Sequence, residues 1–589
     1  MAVQEVASAD DISSVLHRWA NEGSAQIPRN YEFFRKLLDT TIFYLQNSDH
    51  DTASVFASCA AFHASARHCG IWASPELERC LHQIGSQLSA LEPGHFVYRR
   101  RTEVKHVCHV ATAVYPVGGL TRMLARWVGE DKGRCHSLAL TRQSTKEVPD
   151  FLVQSICTSG GHIHRIDGVI GGLLDRAKKL RSIVEHADLV VLHIHPDDVV
   201  PIIALATGNR PPVVYLDHAD HSFWLGTTVS DVIANMRKPG RRLSIERRGV
   251  DPARVALLPT ILEPRQREIS REAAKRRLGL PVDCILLTSV ARARKYRSTS
   301  RTNYADLHVR TLLEHSDSVL LVVGPGGQLD WSEAIQKTNG RVIVLPECED
   351  PSIFFQAADI YVDSFPFVSI TSVLEAGSYG TPAISLFPFS DDCAVLGCDM
   401  PGLDSHLVRC QTLDEYIGAL SHLIMNPARR ARLGEALARC IWDNHTGENW
   451  LKHLNIVYEL ALESLPSEQP GRRADNMRIA EPDVYIQPIH GGDPNAERDL
   501  NRMLQFELGV LPTRVRVREW WRLLKAGFLR NTGRFGPAIH LIPEWARCRA
   551  GRFRRRLSGL QHRKGRSTQQ STTLVASAGS AELHRDTYF

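Results

Sequence analysis

Short apolar runs alternate with amphipathic helical stretches through the middle of this 589-residue chain, and the alternation occurs twice in succession. The apolar runs begin at Val104, Ala187, Pro211 and Ala253, and then again at Asp283, Ser318, Gly340, Ala358 and Thr381. Strands that alternate with helices predict a parallel, doubly wound sheet. We therefore expect an α/β protein with two doubly wound domains, which meet near Leu262 and face each other across a cleft. Ligands of such sheets bind at the carboxyl ends of the strands, so the cleft is the expected site.

The remaining segments do not show this alternation of strands and helices. Residues Asn30–Asn47 and Thr52–Ala66 carry apolar residues at helical spacing, and Ser74-Pro75-Glu76 is a typical helix start. The predicted division of the chain is a helical N-terminal region (1–100), a first α/β domain (101–263), a second α/β domain (264–463), a linker (464–510), a basic aromatic segment (511–566) and a disordered tail (567–589).

Charge is distributed unevenly along the chain. The formal net charge is +6, yet residues 511–566 hold 16 Lys or Arg against two Glu, a net +14 that leaves −8 for the rest. Aromatic residues are interleaved with these cations, a pattern that favours an anionic membrane surface. A solvated regulatory tail is the alternative, and nucleic acid is disfavoured as a partner.

Cysteines and apolar segments indicate the compartment. The 13 cysteines are scattered singly, which is typical of reduced thiols in a cytosolic protein. Residues 1–26 lack the apolar core of a signal peptide, and His and Asp residues interrupt the most apolar stretch, 187–206. We expect a cytoplasmic protein, peripheral on the inner face of the membrane.

The segment Asp363–Pro382 (DSFPFVSITSVLEAGSYGTP) carries the strongest local signal. It follows a predicted strand and opens a helix, with Ser369, Thr371 and Ser372 at the helix start, where N–H groups and the helix dipole attract phosphate. Glu375 lies on the first turns, where a carboxylate can accept both hydroxyls of a ribose. An ordinary capped helix remains the alternative for this segment alone.

This segment and the residues around it resemble sequences of known families. LEAGSYGTPAISL resembles the donor-site helix of glycosyltransferase family 4, and AADIYVDSFPF with TSVLEAGSYGTP resembles O-linked N-acetylglucosaminyltransferase and its relatives. The resemblance implies the GT-B fold of two Rossmann-like domains, a nucleoside-diphosphate sugar as donor with UDP favoured, and neither a metal nor a cofactor. The first acid of the family 4 pair would fall at Phe367, so the chain is expected to be an atypical member.

By the same resemblance, residues at three further strand ends would hold the donor. Arg292, Arg294 and Lys295 would neutralise the diphosphate, and such fixed cations can replace a divalent metal. Gly324 would let the backbone approach the ligand, and Glu347 would border the base.

In the first domain, Gly118 and Gly119 lie in a loop that resembles the glycine loop of family 4. The pair is expected to avoid a Cβ clash where the two halves close, with backbone amides facing the diphosphate or the acceptor. The loop is not a G-x-G-x-x-G fingerprint, which disfavours dinucleotide binding.

Three residues of YLDHADHSFWLG are the catalytic candidates: Asp217, His218 and His221. His218 matches a family 4 histidine that touches the transferred sugar, and the acid–histidine cluster suits deprotonation or orientation of the acceptor. Satisfied polar groups at a strand end are the alternative. His193 and His195 are expected to line the acceptor cleft rather than to bind a metal.

The predicted function is transfer of a sugar from a nucleotide sugar to an acceptor that the sequence does not identify, either a component of the cell envelope, a lipid-linked molecule or a protein. Two alternatives stay open: a non-catalytic GT-B-like nucleotide-sugar-binding or scaffold subunit, and a nucleotide-sugar epimerase. A glycogen-type phosphorylase is disfavoured, because no cofactor-lysine motif is evident.

Overall fold

The computed structural model describes residues 12–91, 98–99, 101–263, 265–296, 304–327, 331–464, 475–491, 500–529 and 533–565. The predicted tail 567–589 and parts of the predicted linker lie outside the described residues. The chain begins with three helices, α1 (Ile12–Gln46), α2 (His50–Ala66) and α3 (Pro75–Leu91). Asp49 caps α2 by accepting a hydrogen bond from the Thr52 backbone N–H, and Pro75 opens α3, as expected.

The first α/β domain contains a parallel sheet in the order β3-β2-β1-β4-β5-β6-β7. Its strands are β1 (His106–Ala111), β2 (Cys135–Leu140), β3 (Ile163–Arg165), β4 (Leu189–His193), β5 (Val213–Asp217), β6 (Val232–Asn235) and β7 (Val255–Leu257). The helices between them are α4 (Gly119–Glu130), α5 (Asp150–Thr158), α6 (Leu173–Val184), α7 (Val199–Leu205) and α8 (Lys238–Glu246).

The second α/β domain repeats the design with the order β10-β9-β8-β11-β12-β13. Its strands are β8 (Ile285–Val290), β9 (Ser318–Val323), β10 (Val342–Leu345), β11 (Ile360–Val362), β12 (Ala383–Leu386) and β13 (Val408–Cys410). Its helices are α9 (Arg271–Arg277), α10 (Asp306–Glu314), α11 (Ser332–Lys337), α12 (Ser352–Ala357), α13 (Ile370–Ser378), α14 (Leu413–Met425), α15 (Pro427–His445) and α16 (Gly447–Glu463).

Both strand orders are those of doubly wound nucleotide-binding sheets, so the predicted fold class is confirmed. The central strands β4 and β5 are buried on both faces, which explains why they are continuous apolar runs, such as LVVLH in β4, rather than alternating ones. The last helix of the second domain returns to the first: Trp127 of α4 donates a hydrogen bond of 3.0 Å to the hydroxyl of Tyr458 in α16.

Helix α1 spans both α/β domains. Near its start, Trp19 stacks on Phe365 of the second domain with ring centroids 6.3 Å apart. Near its middle, Phe34 packs against Phe223 of the first domain at 6.2 Å. Because Phe365 belongs to the loop that precedes α13, the N-terminal helices support the predicted donor site from behind.

Part of the predicted linker is a buried structural element. Helix α17 (Glu481–His490) packs between α1 and the second domain, and its Asp483 is fully buried. The Asp483 carboxylate accepts hydrogen bonds from Trp72 (2.9 Å) and Arg247 (2.9 Å), and Oδ1 lies 2.7 Å from His68 Nε2. Burial alone would raise the pKa of Asp483, but His68 and Arg247 hold that pKa well below its usual range. The linker prediction is therefore wrong for residues 481–490, which these tertiary contacts fix.

We expect Asp483→Asn to lower the free energy of unfolding by about 3 kcal/mol, because removal of the carboxylate charge leaves the buried Arg247 guanidinium without its partner. Urea denaturation measures the change. Asp392→Asn is the matched control, since Asp392 is a mostly exposed partner of Arg242 and should cost well under about 1 kcal/mol. Equal effects of the two substitutions would contradict the role given to Asp483.

The basic aromatic segment is folded against the first domain rather than extended. It contains α19 (Thr513–Lys525) and α20 (Glu544–Gly565), preceded by α18 (Leu500–Glu507). Glu544 is buried between Arg142 (3.0 Å) and Arg176 (3.2 Å), and Trp520 lies partly buried, donating a 2.8 Å hydrogen bond to the Pro537 carbonyl. Among the described residues, no helix combines the length and apolar character that crossing a membrane requires.

Candidate functional site

The candidate site lies where the carboxyl ends of the two sheets meet. Lys295 closes a short 3₁₀ turn after β8 and donates a 3.0 Å hydrogen bond to the carbonyl of Val368, directly before α13. The first N–H groups of α13 have no carbonyl one turn upstream to bind, so the helix start attracts an anion. The structure thus brings Lys295 to the start of the predicted phosphate-binding helix and Arg294 over the Phe367 ring, two residues before Ser369. Arg292 instead contacts Val117 of the glycine loop and Glu347.

Asp363 organises the loop that leads into α13. Its carboxylate is buried and accepts hydrogen bonds from the backbone N–H groups of Ser364 (2.8 Å) and Ser369 (2.9 Å) and from the hydroxyl of Ser385 (3.1 Å). The Ser369 hydroxyl lies 3.1 Å from that of Ser372. The Asp363 contacts fix the backbone at which α13 begins, so Ser369 serves the loop and leaves the later N–H groups to a ligand.

Phe367, at the position of the missing acid, contacts the predicted cations. The Arg294 guanidinium lies 5.5 Å and the Lys295 ammonium 4.8 Å from the centroid of its ring. Cations placed over an aromatic face are attracted by its quadrupole. The Phe367 ring therefore contacts two of the three predicted cations.

Glu375 forms an ion pair across the cleft. Its Oε1 accepts a 3.0 Å hydrogen bond from Arg126 of α4, and both side chains are largely buried. Arg126 also lies 3.5 Å from Glu263. A ribose held by Glu375 must therefore share the carboxylate with Arg126 or displace it, an interaction that the sequence did not predict.

The glycine loop closes against the predicted donor-binding residues. Gly118 has φ 139°, and a Cβ there would lie 3.2 Å from Arg292 Nη2. A Cβ on Gly119 would lie 3.3 Å from the Thr371 hydroxyl oxygen. Arg292 also donates a 2.7 Å hydrogen bond to the Val117 carbonyl. The absence of side chains at the two glycines is what allows the first domain to approach α13 this closely.

Gly324 and Glu347 lie at the neighbouring strand ends, beside the predicted cations. Gly324 has φ 90°, and a Cβ there would come within 2.5 Å of the Ala291 carbonyl oxygen, so only glycine fits. Glu347 is half exposed, with Oε1 3.4 Å from Arg292 Nε. The two residues border the same edge of the second sheet as Arg292.

His218 follows β5 and is only partly buried. Its Nδ1 lies 3.2 Å from the Leu216 carbonyl oxygen, which only accepts hydrogen bonds, so Nδ1 carries the proton. Burial lowers the pKa of His218 to about 4, so the ring is neutral at pH 7 and Nε2 keeps its lone pair. His218 can therefore accept a proton or a hydrogen bond from a hydroxyl group.

His221 lies in the cleft, whereas Asp217 does not. His221 is partly exposed, and its ring centroid is 5.3 Å from that of Phe367. Asp217 is 1% exposed and accepts a 2.7 Å hydrogen bond from Asn235 in the domain interior, where burial raises its pKa. Asp217 is thus enclosed against Asn235, whereas its neighbour His218 is partly exposed.

Asp220, the other acid of the cluster, serves the domain interface. It binds the Arg237 guanidinium through both oxygens (2.6 and 2.9 Å), and Arg237 donates to the carbonyls of Val395 and Gly397 in the second domain. Asp220 Oδ1 also lies 3.7 Å from His221 Nδ1. Its main role is thus to hold the two domains together beside the cleft.

His193 belongs to a buried row of histidines on β2, β1 and β4. His136 Nε2 lies 3.2 Å from the Asp131 carbonyl and must donate to it. In the neutral row, His109 then donates to His136 (2.9 Å) and His193 Nε2 donates to His109 (2.9 Å). His193 Nε2 is therefore occupied as the donor of the hydrogen bond to His109. In the described part of the chain, no cluster of His, Cys, Asp or Glu could hold a metal ion.

Sequence reasoning missed two residues of the site, Arg126 and His490. Arg126 lies two turns after Gly119 on the same face of α4. The glycine loop and the helical periodicity together were therefore a signal that Arg126 faces the site. His490 ends α17, and its ring lies 4.0 Å from Phe367 and 4.3 Å from His221. No local pattern marks His490, because tertiary packing of α17 alone brings it to the cleft.

Burial lowers the pKa of Lys295 to about 8. Lys295 is cationic below this pH and loses its charge as the pH rises through it, so nucleoside diphosphate affinity should fall above pH 8, by up to about tenfold per pH unit. Calorimetric titrations of UDP between pH 7 and 9.5 test this. Lys295→Arg should remove the dependence, because arginine stays charged, and an unchanged profile in that variant would contradict the assignment to Lys295.

Comparisons with known proteins add similarities of fold. No protein-family model and no curated protein sequence matches the chain. Solved structures that it resembles include a glycosyltransferase from Rickettsia africae ESF-5, at 13% identity over 61% of this chain and 100% of that chain, with a TM-score of 0.46. A mutant O-GlcNAc transferase of Thermobaculum terrenum shows 13% identity, covering 76% of this chain and 98% of that one, with a TM-score of 0.44. Anabaena HepE in complex with UDP shows 12% identity, covering 60% and 98%, with a TM-score of 0.45. TM-scores below 0.5 do not identify the family.

Proposed function

We propose that the chain is a glycosyltransferase that takes a sugar from a nucleoside-diphosphate sugar, with UDP-sugars as the first donors to test. The observation that carries this proposal is the placement of Lys295 and Arg294 beside the start of α13, with Arg292 between the glycine loop and Glu347. Three cations and the positive end of a helix dipole form a site for a diphosphate.

The charge that develops on the leaving diphosphate is stabilised by groups already in place. Lys295 is held by Val368, and Arg292 by Val117 and Glu347, so these cations need little reorganisation when the sugar–phosphate bond breaks. Preorganised donors of this kind account for a large part of enzymatic rate enhancement. We assign the clamp to protein cations, without a divalent metal or another cofactor.

His218 is the proposed base on the acceptor side. Its Nε2 lone pair can take the proton of the attacking hydroxyl while the bond between the sugar and the diphosphate breaks. Glu375 accepts hydrogen bonds from the ribose hydroxyls after Arg126 releases Oε1 of its carboxylate. Glu347 lies beside the base. Gly118, Gly119 and Gly324 give the backbone room around the diphosphate, and Thr371 and Ser372 offer it backbone N–H groups at the start of α13.

Calorimetry with UDP-, GDP- and ADP-sugars tests the proposal. The wild-type chain should bind one nucleotide class, and Glu375→Ala should weaken that binding about 10- to 100-fold, the size of lost hydrogen bonds to a charged group. Glu448→Ala on exposed α16 is the control and should change nothing. Failure to bind any of these nucleotide sugars would overturn the enzyme proposal.

A non-catalytic nucleotide-sugar-binding subunit is the second candidate. The observation that favours it is the Arg126–Glu375 ion pair, which occupies the predicted ribose ligand, together with Phe367 in place of an acid. Release of nucleoside diphosphate from the bound donor separates the two. Turnover in the wild type but not in His218→Ala supports the enzyme, whereas tight binding without turnover or transfer supports the subunit.

We further propose that the outer face of α19 docks on an anionic membrane, where a lipid-linked or envelope acceptor would be presented and where the protein would sit on the cytoplasmic side. Val517 and Trp521 are half exposed on this face, between the exposed cations Arg514, Arg522 and Lys525. The Lys525 ammonium lies 5.0 Å from the centroid of a Trp521 ring. Cations around an exposed tryptophan match a surface of anionic headgroups.

Vesicle sedimentation tests the membrane proposal. The chain should bind phosphatidylcholine vesicles only when they contain phosphatidylglycerol, and Trp521→Ala should reduce binding. Ile456→Ala, at an exposed apolar residue of α16, is the control. Equal binding to neutral vesicles, or a preference for RNA over anionic vesicles, would overturn the proposal.

A further inference from the structure

Three aromatic rings from distant parts of the chain meet beside the diphosphate-side cations. Phe367 comes from the second domain, His221 from the first, and His490 from the end of α17. The centroid of His490 lies 4.0 Å from that of Phe367 with an interplanar angle of 86°, and 4.3 Å from that of His221 with an angle of 31°. The rings therefore form a corner, with Phe367 as one wall and the two imidazoles as the other.

All three residues of this corner are partly exposed. The Lys295 ammonium lies 4.8 Å from the centroid of the Phe367 ring, so the corner borders the proposed diphosphate position. A sugar attached to a diphosphate at that position would lie near the three rings.

Helix α17 is held in a fixed position, which makes His490 a defined part of the wall. Asp483, two turns before His490, is buried against His68, Trp72 and Arg247. These partners belong to the N-terminal region and the first domain. The anchoring of α17 explains how a segment outside both sheets comes to reach the cleft.

We propose that Phe367, His221 and His490 form the subsite for the sugar of the donor, and that it takes a neutral pyranose by its apolar C–H face. This inference rests on the proposed function. Burial lowers the pKa of His221, which keeps that ring uncharged and suited to an apolar face. The carboxylate that would accept sugar hydroxyls in family 4 is replaced by the Phe367 ring, so packing on the rings supplies the affinity for the sugar.

The test compares a nucleoside diphosphate with its own sugar ester by calorimetry on the full chain. UDP and UDP-glucose are the first probe pair, and GDP and ADP pairs are used in the same way if UDP does not bind. In the wild type, the sugar ester should bind more tightly than the diphosphate by about three- to tenfold, the scale of one or two aromatic contacts. His490→Ala should reduce this ratio towards one and leave the affinity for the diphosphate within about twofold. Phe367→Leu should also reduce the ratio, and it should weaken diphosphate binding as well, because Phe367 contacts Arg294 and Lys295.

Phe553→Leu on exposed α20 and His453→Ala on α16 are the matched controls, and both should keep the wild-type ratio. His490→Gln replaces the alanine variant if that protein does not fold. An unchanged ratio in the Phe367 and His490 variants, or an equal loss of diphosphate and sugar ester, overturns this subsite alone. Absence of binding to every diphosphate overturns both this inference and the proposed function.

Discussion

Replacement of Lys295 by methionine should lower the rate of sugar transfer or donor hydrolysis by about 100- to 1000-fold, the range found when one preorganised stabilising group is removed from a developing negative charge. Methionine keeps the length and the contact with Phe367 but removes the cation. Lys295 is tied to the start of α13 through Val368, so no other group takes its place without moving. Turnover is measured as nucleoside diphosphate release at saturating donor.

Two comparisons make the Lys295 result specific. Lys295→Arg keeps the charge and should recover part of the rate, although its planar fork does not reproduce the ammonium position. Lys337→Met on α11, in the same domain, removes a surface cation paired with Glu333 and should leave turnover unchanged. A Lys295→Met variant with wild-type turnover would show that the diphosphate leaves elsewhere.

His218→Ala should lower turnover by about 100- to 10,000-fold, because it removes the proposed base from the acceptor hydroxyl. Nucleotide binding should stay within about threefold of wild type, since no contact with the diphosphate is assigned to His218. Steady-state kinetics with each variant separates the two effects. His162→Ala, an exposed histidine of the first domain, is the control.

The pH profile gives an independent test of His218. Its pKa is lowered to about 4 by burial, so the proposed base is deprotonated above this pH and loses its function only as the pH falls through 4. The acid limb of kcat/KM should therefore lie near pH 4, provided that the protein stays folded. An acid limb near pH 6.5 in wild type that is lost in His218→Ala would contradict the assigned burial of the ring.

The fold was predictable because burial on both faces makes parallel strands continuous apolar runs that the sequence displays directly. The glycine pair is similarly visible in the sequence: Gly118 adopts φ 139°, and a Cβ at either glycine would crowd Arg292 or Thr371. The position of the Asp217 side chain was not predictable. The alternation of side chains along a strand allows either face, and only the tertiary contact with Asn235 shows that Asp217 faces the domain interior.

Sequence patterns did not predict the positions of residues that tertiary contacts alone place in the site. Helix α17 contains Pro482 and Pro488 and follows a Ser/Pro/Gly-rich stretch, so composition favoured a linker. Its position depends on the buried Asp483 and its partners from the N-terminal region, and the placement of His490 in the cleft follows from that. The apolar side of α19 likewise packs into a hydrophobic cluster through the buried Leu523, which leaves Trp521 but not Trp520 exposed.

A crystal structure of the chain with bound UDP tests the central claim most directly. The account predicts the diphosphate between Lys295, Arg292 and the first N–H groups of α13, with the ribose hydroxyls on Glu375 and Arg126 moved from its present 3.0 Å contact. Binding of UDP at another place, with the Arg126–Glu375 ion pair intact and the start of α13 free of phosphate, would contradict it.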